Sequence, residues 1–181
     1  MRIVRGLSDR ARERAEAFGR EPGVLYMTHS GPDSVASFGS LGLEIVEDLV
    51  RQWKREGRIP QRFDYDRYLS LRVREEQGKL TPDQRRQLDT ARRALAPLAR
   101  TAVTVPVGAG GIASGILVGL KALHPQITVI GVASDDTDSM TPALRAGRPV
   151  KIPMERGILD DGVKTGEVEA FALQVFRQLA D

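Results

Sequence analysis

A chain of 181 residues with 41% hydrophobic residues is long enough to bury the core of one ordinary domain. The sequence contains no cysteine, which excludes disulfides and thiolate metal sites, and its two isolated histidines predict no zinc site. It shows neither a secretory segment nor an apolar run long enough to span a bilayer, so we expect a cytoplasmic protein with no membrane contact.

The first predicted elements are a strand, a helix and a second strand. Residues 2–5 predict a short strand, and Ser8 can cap a helix from Asp9 to about Phe18. Gly19 can end that helix, and residues 24–28 predict the next strand.

A basic, helical segment follows. Residues 51–100 contain 14 Lys or Arg against 7 Asp or Glu, a net charge of +7, whereas the rest of the chain carries −4. The pattern predicts a helix from Leu43 to Glu56, a second from Tyr65 to Gln77, and a third to about Leu95 that opens with the capping box Thr81-Pro82-Asp83-Gln84. We therefore expect a helical insertion at about residues 51–97.

The arginines of this segment raise the question of nucleic-acid binding. Acidic and basic residues alternate at helical spacing, as on a solvated face, so we expect no nucleic-acid partner. Four aromatic residues precede the basic helix, and such residues favour either a protein interface or a local core. They are Trp53, Phe63, Tyr65 and Tyr68.

The most informative stretch is residues 103–136, which predicts a strand, a glycine loop, a helix to about Leu123 and a strand near 127–133. A loop at this place directs backbone N–H groups and the positive end of the helix dipole at an anion. The loop residues are Gly108, Ala109, Gly110 and Gly111. Three glycines in four positions exceed what a tight turn needs, and we expect a cofactor phosphate there.

Other interpretations of the loop remain open. The glycines could serve only tight packing. A P-loop is excluded because no Gly-Lys-Ser/Thr occurs in the chain. The dinucleotide pattern does match at Gly108, Gly110 and Ala113, but the acidic pair Asp135-Asp136 lies beyond the usual offset.

The remaining elements are a weak strand near 149–152 and a last helix from about Glu167 to Ala180. The helix has an apolar stripe that we expect to face the sheet. The stripe consists of Val168, Phe171, Ala172, Val175, Phe176 and Leu179. His124, at the end of the helix that follows the glycine loop, is expected to favour the helix dipole.

Three segments together resemble the threonine dehydratase and serine racemase group of the pyridoxal-phosphate (PLP) dependent fold type II, or tryptophan synthase β-like, superfamily. Residues 105–132, VPVGAGGIASGILVGLKALHPQITVIGV, are similar to the family's VPVGGGGL loop, helix and strand. Residues 30–44, SGPDSVASFGSLGLE, are similar to its DDP…AGQGT…LE, and residues 158–164, ILDDGVK, to its TIADGVK.

The resemblance implies PLP as the cofactor, with its phosphate on the backbone N–H groups of the glycine loop and Gly162 near its rim. The family's Schiff-base lysine segment and asparagine loop do not occur in these 181 residues, so no catalytic residue is predicted. The lysines present lie in no such context: Lys54, Lys79, Lys121, Lys151 and Lys164. The glutamate that binds a metal in some members is replaced by Ala133, and we expect no metal.

The implied fold is α/β, a three-layer, mostly parallel sheet like an incomplete tryptophan synthase β-like large domain, with the inserted helices. Residues 1–29 would be a remnant of the small domain, and residues 30–181 the PLP-phosphate-binding domain. The implied activity is α,β-elimination or β-replacement on an amino acid, as a subunit or fragment of a split enzyme that is inactive alone. The expected partner is a second chain supplying the lysine and asparagine loop, or a further copy. The alternatives are a non-catalytic binding or regulatory module, or a Rossmann-type dinucleotide protein.

Overall fold

The computed structural model describes residues 8–24, 26–28, 30–153 and 165–180. The predicted strand at residues 2–5 lies outside these ranges. The helices and strands, in chain order, are α1 Ser8–Phe18, α2 Pro32–Arg55, α3 Tyr65–Glu76, α4 Pro82–Ala94, a 3-10 helix Ala96–Arg100, β1 Ala102–Pro106, α5 Gly111–Leu123, β2 Thr128–Val132, α6 Met140–Ala146 and α7 Ala170–Leu179.

The two strands pair in parallel, with Ala102 opposite Thr128. One face of this sheet points into the core, where Val105 and Val129 are buried. On the other face Ile130 and Val132 are 46% and 53% exposed. Parallel strands joined by a helix form the βαβ unit predicted from the sequence, so the α/β fold class is confirmed.

Helices α2 and α5 pack closely against each other, and glycines on both helices allow this close approach. A side chain at Gly42 would lie 2.7 Å from the carbonyl oxygen of Ile116, and one at Gly115 would lie 2.7 Å from that of Val35. A side chain at Gly119 would overlap the backbone of Gly39. The partners advance together along both helices, so α2 and α5 run in the same direction and begin at the same end.

The basic segment folds into the predicted helices. Thr81 and Gln84 form the reciprocal capping box at the start of α4, as predicted. The side chain of Asp64 caps α3 by accepting a hydrogen bond from the N–H of Arg67. Opposite charges pair between and within these helices, and Arg92 on α4 lies 2.6 Å from Glu75 on α3.

The aromatic residues of this segment form a local core. All four are at most 8% exposed, so they are not available to the interface that was one of the two expectations for them. They pack with Leu71, Leu88, Leu95 and Leu98 in the same apolar cluster. The four are Trp53, Phe63, Tyr65 and Tyr68. The helices thus supply their own apolar core, although the boundaries of the proposed insertion stay a prediction.

Two predicted strands are wrong, because neither 149–152 nor the described part of 24–28 is in a strand. Around Thr28 the main chain makes a hydrogen bond to a side chain and does not pair with a neighbouring strand. The Ser34 hydroxyl donates to the Thr28 carbonyl at 2.6 Å. At 149–152 a single bond, from Ile152 N–H to the Gly166 carbonyl at 2.8 Å, replaces a ladder.

The last helix begins three residues later than predicted. Glu169 is its extended N-cap, and its N–H lies 3.4 Å from the Ala109 carbonyl that accepts its hydrogen bond. The stripe faces the sheet as expected, since Phe176 lies 3.5 Å from where a side chain at Gly131 would be. Leu173 is also buried, which the predicted stripe omitted.

His124 does not act as a charged partner of the α5 dipole, which corrects the prediction. The residue is fully buried, and burial together with the positive charge of Arg72 lowers the pKa of His124 to about 4. Its ring is therefore neutral at pH 7. Arg72 takes the dipole role instead, because its guanidinium donates to the Leu123 carbonyl at 3.0 Å and the Ala122 carbonyl at 3.4 Å.

Candidate functional site

The glycine loop lies where the sequence places it, between the end of β1 and the start of α5. The Val107 N–H donates to the Val132 carbonyl at 2.8 Å, which extends the parallel pairing up to the loop. Gly110 then turns the chain with a φ of 94°, a left-handed conformation that favours glycine. The turn leads directly into Gly111, the first residue of α5.

The first turn of α5 presents free N–H groups. The first intrahelical bond runs from the Ser114 N–H to the Gly110 carbonyl at 2.8 Å, and no side chain of the described ranges caps this helix. The N–H groups of Gly111, Ile112 and Ala113 therefore have no acceptor among the described residues. Such donors at the positive end of a helix are suited to an anion.

The back of the loop is closed by packing. A side chain at Gly110 would lie 2.9 Å from the Cβ of Ala172 and 3.0 Å from the Cε of Met140. Ala109, Gly110 and Gly111 are buried, and Gly108 is half-buried. Gly110 thus packs against Met140 of α6 and Ala172 of α7.

A short polar network connects the loop to the start of α2. The Glu169 N–H donates to the Ala109 carbonyl at 3.4 Å, and the Glu169 carboxylate accepts from the Thr28 hydroxyl at 2.6 Å. Thr28 Oγ1 in turn accepts from the Ser30 N–H at 3.3 Å. The network brings together residues more than 140 positions apart in the sequence.

The donor set fits a phosphate group. It consists of backbone N–H groups and a helix dipole, and a phosphate monoester accepts hydrogen bonds on several oxygens at once. The nearby negative charge of Glu169 is engaged by the Thr28 hydroxyl. Within the described ranges no cluster of histidine, aspartate and glutamate could hold a metal ion.

The structure brings together four of the five predicted cofactor-binding residues, Gly108, Ala109, Gly110 and Gly111. The fifth, Gly162, lies outside the described residues. Two surface grooves of about 560 and 460 Å³, one between α6 and α7 and one between α3 and α4, are lined by no residue of the loop. We regard the loop as the candidate site because its free donors, unlike a groove, define the ligand's chemistry.

Sequence reasoning missed Thr28, Ser30 and Glu169. Ser30 enters it only as part of the resembling segment 30–44, and Glu169 only as a residue inside the predicted last helix. A motif scan has no signal for them, because each is a common residue in a connector whose neighbours come from distant parts of the chain. Their role becomes visible only when α2, α5 and α7 are packed together.

Comparison with known proteins decides the family. Residues 84–181, more than half of the chain, match the sequence model of the family described as "Pyridoxal-phosphate dependent enzyme". The chain belongs to this family. The matched range includes the glycine loop and all of α5, so the family assignment and the geometry concern the same residues.

Similar relatives include threonine dehydratases. The biosynthetic L-threonine dehydratase of Pasteurella multocida is 40% identical over 79 residues, which are 44% of this chain and 15% of the relative. The catabolic L-threonine dehydratase of Escherichia coli is 33% identical over 167 residues, which are 92% of this chain and 36% of the relative. The chain therefore spans well under half the length of these relatives.

Solved structures agree on the fold. A threonine deaminase from T.th. superposes with a TM-score of 0.56 at 25% identity, covering 92% of this chain and 44% of that one. The processed form of threonine deaminase isoform 2 from Solanum lycopersicum gives 0.62 at 22% identity, covering 99% of this chain and 38% of that one. In addition, no helix in the described part is long and apolar enough to cross a bilayer.

Proposed function

We propose that this chain supplies the phosphate-binding part of a PLP-dependent lyase that acts on a hydroxy-amino acid such as threonine or serine. The observation that carries the proposal is the set of N–H groups at Gly111, Ile112 and Ala113, which have no acceptor among the described residues and lie at the head of a helix in a chain of this family. Two relatives described above are named L-threonine dehydratases, and this supports the proposed substrate class.

When bound, PLP acts as an electron sink that allows bonds next to the amino group of a substrate to break. In our proposal the residues of this chain hold and orient the cofactor. The N–H groups of the glycine loop and α5 donate to the phosphate. Met140 on α6 and Ala172 on α7 pack against Gly110 and so hold the loop in place. Gly162 at the cofactor's rim remains part of the proposal.

We further propose that a second polypeptide supplies the Schiff-base lysine. Lys121 lies ten residues along α5 from Gly111, a helical rise of about 15 Å, and its amine lies 3.4 Å from the Pro125 carbonyl. Lys54 lies near the far end of α2, about 33 Å from its start at Pro32. Lys79 follows α3, Lys151 is exposed, and Lys164 lies outside the described residues. A different partner chain is a better source of this lysine than a second copy of the same chain, because a copy carries the same lysines.

The experiment compares the chain alone with the chain co-purified from its native source. Both are given PLP and L-threonine, and the 2-oxobutanoate formed and the visible absorbance of the cofactor are measured. We expect the chain alone to bind PLP without turnover, and the co-purified complex to turn over. Turnover by the chain alone that is lost on mutating one of its five lysines would contradict the partner proposal. A chain that binds no PLP under either condition would favour a non-catalytic relative.

A further inference from the structure

A surface groove of about 460 Å³ lies between α3 and α4, on the basic helical segment. Sites that hold small organic molecules have volumes of about 300 to 1,000 Å³, so the groove is large enough for one. Every residue that lines it belongs to the described part of the chain, between Pro60 and Ala94. The groove is therefore a site separate from the glycine loop.

The floor of the groove is apolar. Phe63, Tyr68 and Leu71 line it and are at most 8% exposed, so they lie at its bottom. Ala91 and Ala94 of α4 also line it and are half-buried. A hydrocarbon group that enters the groove loses water and gains apolar contacts, which favours binding by about 25 cal/mol for each Å² removed from water.

The rim of the groove is positively charged. Three arginines line it against a single aspartate, and all four side chains are exposed. The Asp64 carboxylate is already engaged, because it accepts a hydrogen bond from the Arg67 N–H at 2.8 Å as the cap of α3. A groove lined mostly by one sign of charge attracts ligands of the opposite sign. The four residues are Arg62, Asp64, Arg67 and Arg86.

A hydrogen-bond network orders part of this rim. Arg67 on α3 donates to Gln87 Oε1 on α4 at 3.0 Å, and Gln87 Nε2 donates to Asp83 at 2.7 Å. Asp83 also pairs with Arg86 at 3.2 Å. Two of the three arginines are thus held in place before a ligand binds, which lowers the entropic cost of binding.

Arg62 is the arginine of the rim that is open to a ligand. Its side chain is exposed, and no carboxylate among the described residues forms an ion pair with it. A guanidinium presents two parallel N–H donors that match the oxygens of a carboxylate or a phosphate. Arg62 therefore adds an anion-binding group at the edge of an apolar floor.

We propose that the groove between α3 and α4 binds a small amphipathic anion, with its acidic head group at the arginine rim and its hydrocarbon body on the apolar floor. The head group is a carboxylate or a phosphate, which share the same acceptor chemistry. A protein partner would need a face of roughly 800 Å². The apolar surface here is instead confined to a concave floor, so a small molecule fits the groove better. This inference does not depend on the proposed function.

The test titrates the full-length protein with four probes by calorimetry. Octanoate and octyl phosphate carry both features, octanamide has the chain without the charge, and acetate has the charge without the chain. We expect at least one of the two amphipathic anions to bind at least about tenfold more tightly than octanamide and acetate, and the tighter of the two identifies the head group.

Two matched variants test the rim. Arg62→Gln should weaken binding of the amphipathic anion about tenfold, the effect of losing one hydrogen bond between charged groups, and leave octanamide unchanged. Arg85→Gln removes the same charge from an exposed position of α4 that does not line the groove, and it should leave every affinity unchanged. Equal weakening in both variants would overturn the proposal, because the basic segment would then attract anions without a defined site.

The position of the ligand is tested by nuclear magnetic resonance. Chemical-shift changes caused by the bound anion should be centred on the amides of Phe63, Leu71 and Ala91. Changes centred on the glycine loop, or octanamide binding as tightly as the anions, would overturn the proposal. Absence of binding by both amphipathic anions would also overturn it, and protection of the same amides in a co-purified complex would then assign the groove to a protein partner.

Discussion

The hydroxyl of Tyr65 lies 2.8 Å from Nε2 of His124, and the two groups form a buried hydrogen bond between α3 and the end of α5. The rings of Tyr68 and His124 stack beside this bond with centroids 5.6 Å apart. Helix α5 therefore carries the candidate anion site at its first residue and the contact with the basic helical segment at its last. The segment supports the helix that holds the loop, although it lies far from the loop itself.

Stability should fall in acid because of His124. Burial lowers its pKa to about 4, below the ordinary value of 6.5, so between these pH values the unfolded chain binds a proton that the folded chain does not. The free energy of unfolding should therefore decrease as the pH falls from about 6.5 to about 4, by an amount on the order of 3 kcal/mol. Urea unfolding at several pH values measures this decrease, and His124→Gln should remove it.

Tyr65→Phe is the matched control for this pH dependence. The substitution removes the hydrogen bond to His124 but keeps the ring buried, so the decrease with pH should persist at lower overall stability. If the decrease vanishes in Tyr65→Phe as well, the hydrogen bond rather than burial sets the pKa.

Removal of the Arg72 side chain should weaken the end of α5. Its guanidinium bonds two carbonyls there and the Tyr68 hydroxyl, at distances between 3.0 and 3.4 Å. We expect Arg72→Ala to lower the free energy of unfolding by about 1–2 kcal/mol. Arg85→Ala, at an exposed position on α4, should change it by less than about 0.5 kcal/mol. Equal losses in both variants would show that Arg72 contributes only as a general surface charge.

Where Gly39 of α2 meets Gly119 of α5, a methyl group should be tolerated on Gly39 but not on Gly119. Gly119→Ala places a Cβ into the backbone of Gly39, and we expect a net loss of about 1–3 kcal/mol of unfolding free energy. Gly39→Ala places its Cβ 3.7 Å from the Gly115 carbonyl, an ordinary contact, and should be neutral or stabilising by up to about 1 kcal/mol. Chemical denaturation of both variants checks the contrast, and a loss confined to Gly39→Ala would contradict this packing.

A side chain at Gly110 should abolish phosphate binding by displacing the loop. Gly110→Asp adds a strained left-handed residue whose Cβ would lie 2.9 Å from the Cβ of Ala172, so the loop must shift and we expect PLP binding to be lost. Gly57→Asp is matched in backbone conformation, with a φ of 70° and nothing near its Cβ, and should keep the affinity. Equilibrium titration with PLP measures both, and circular dichroism confirms that each is folded.

Ile112→Glu tests the same site without backbone strain. The Ile112 side chain is 50% exposed on the first turn of α5, so a glutamate fits there and repels an anion at the helix head. We expect a loss of PLP affinity of at least about tenfold that diminishes at high salt. Full affinity in this variant would show that the anion does not bind at the head of α5.

Local chemistry along the chain was sufficient to predict most helices and the loop. The capping box at Thr81 and Gln84, the glycine after α2 and the apolar run of α5 each act within a few residues, so their outcome does not depend on distant parts of the chain. The glycine loop was recognisable for the same reason, since its place between a strand and a helix is a local pattern.

Tertiary packing decided the rest. Whether residues 24–28 and 149–152 form strands depends on partner strands that a sequence pattern does not contain, and both segments make isolated side-chain or single main-chain bonds instead. The charge of His124 depends on burial against Tyr65 and Tyr68, which lie more than 50 residues earlier. The hydrogen bond between Thr28 and Glu169 joins residues 141 positions apart, and no local pattern predicts it, because proximity between distant residues is a property of the folded chain alone.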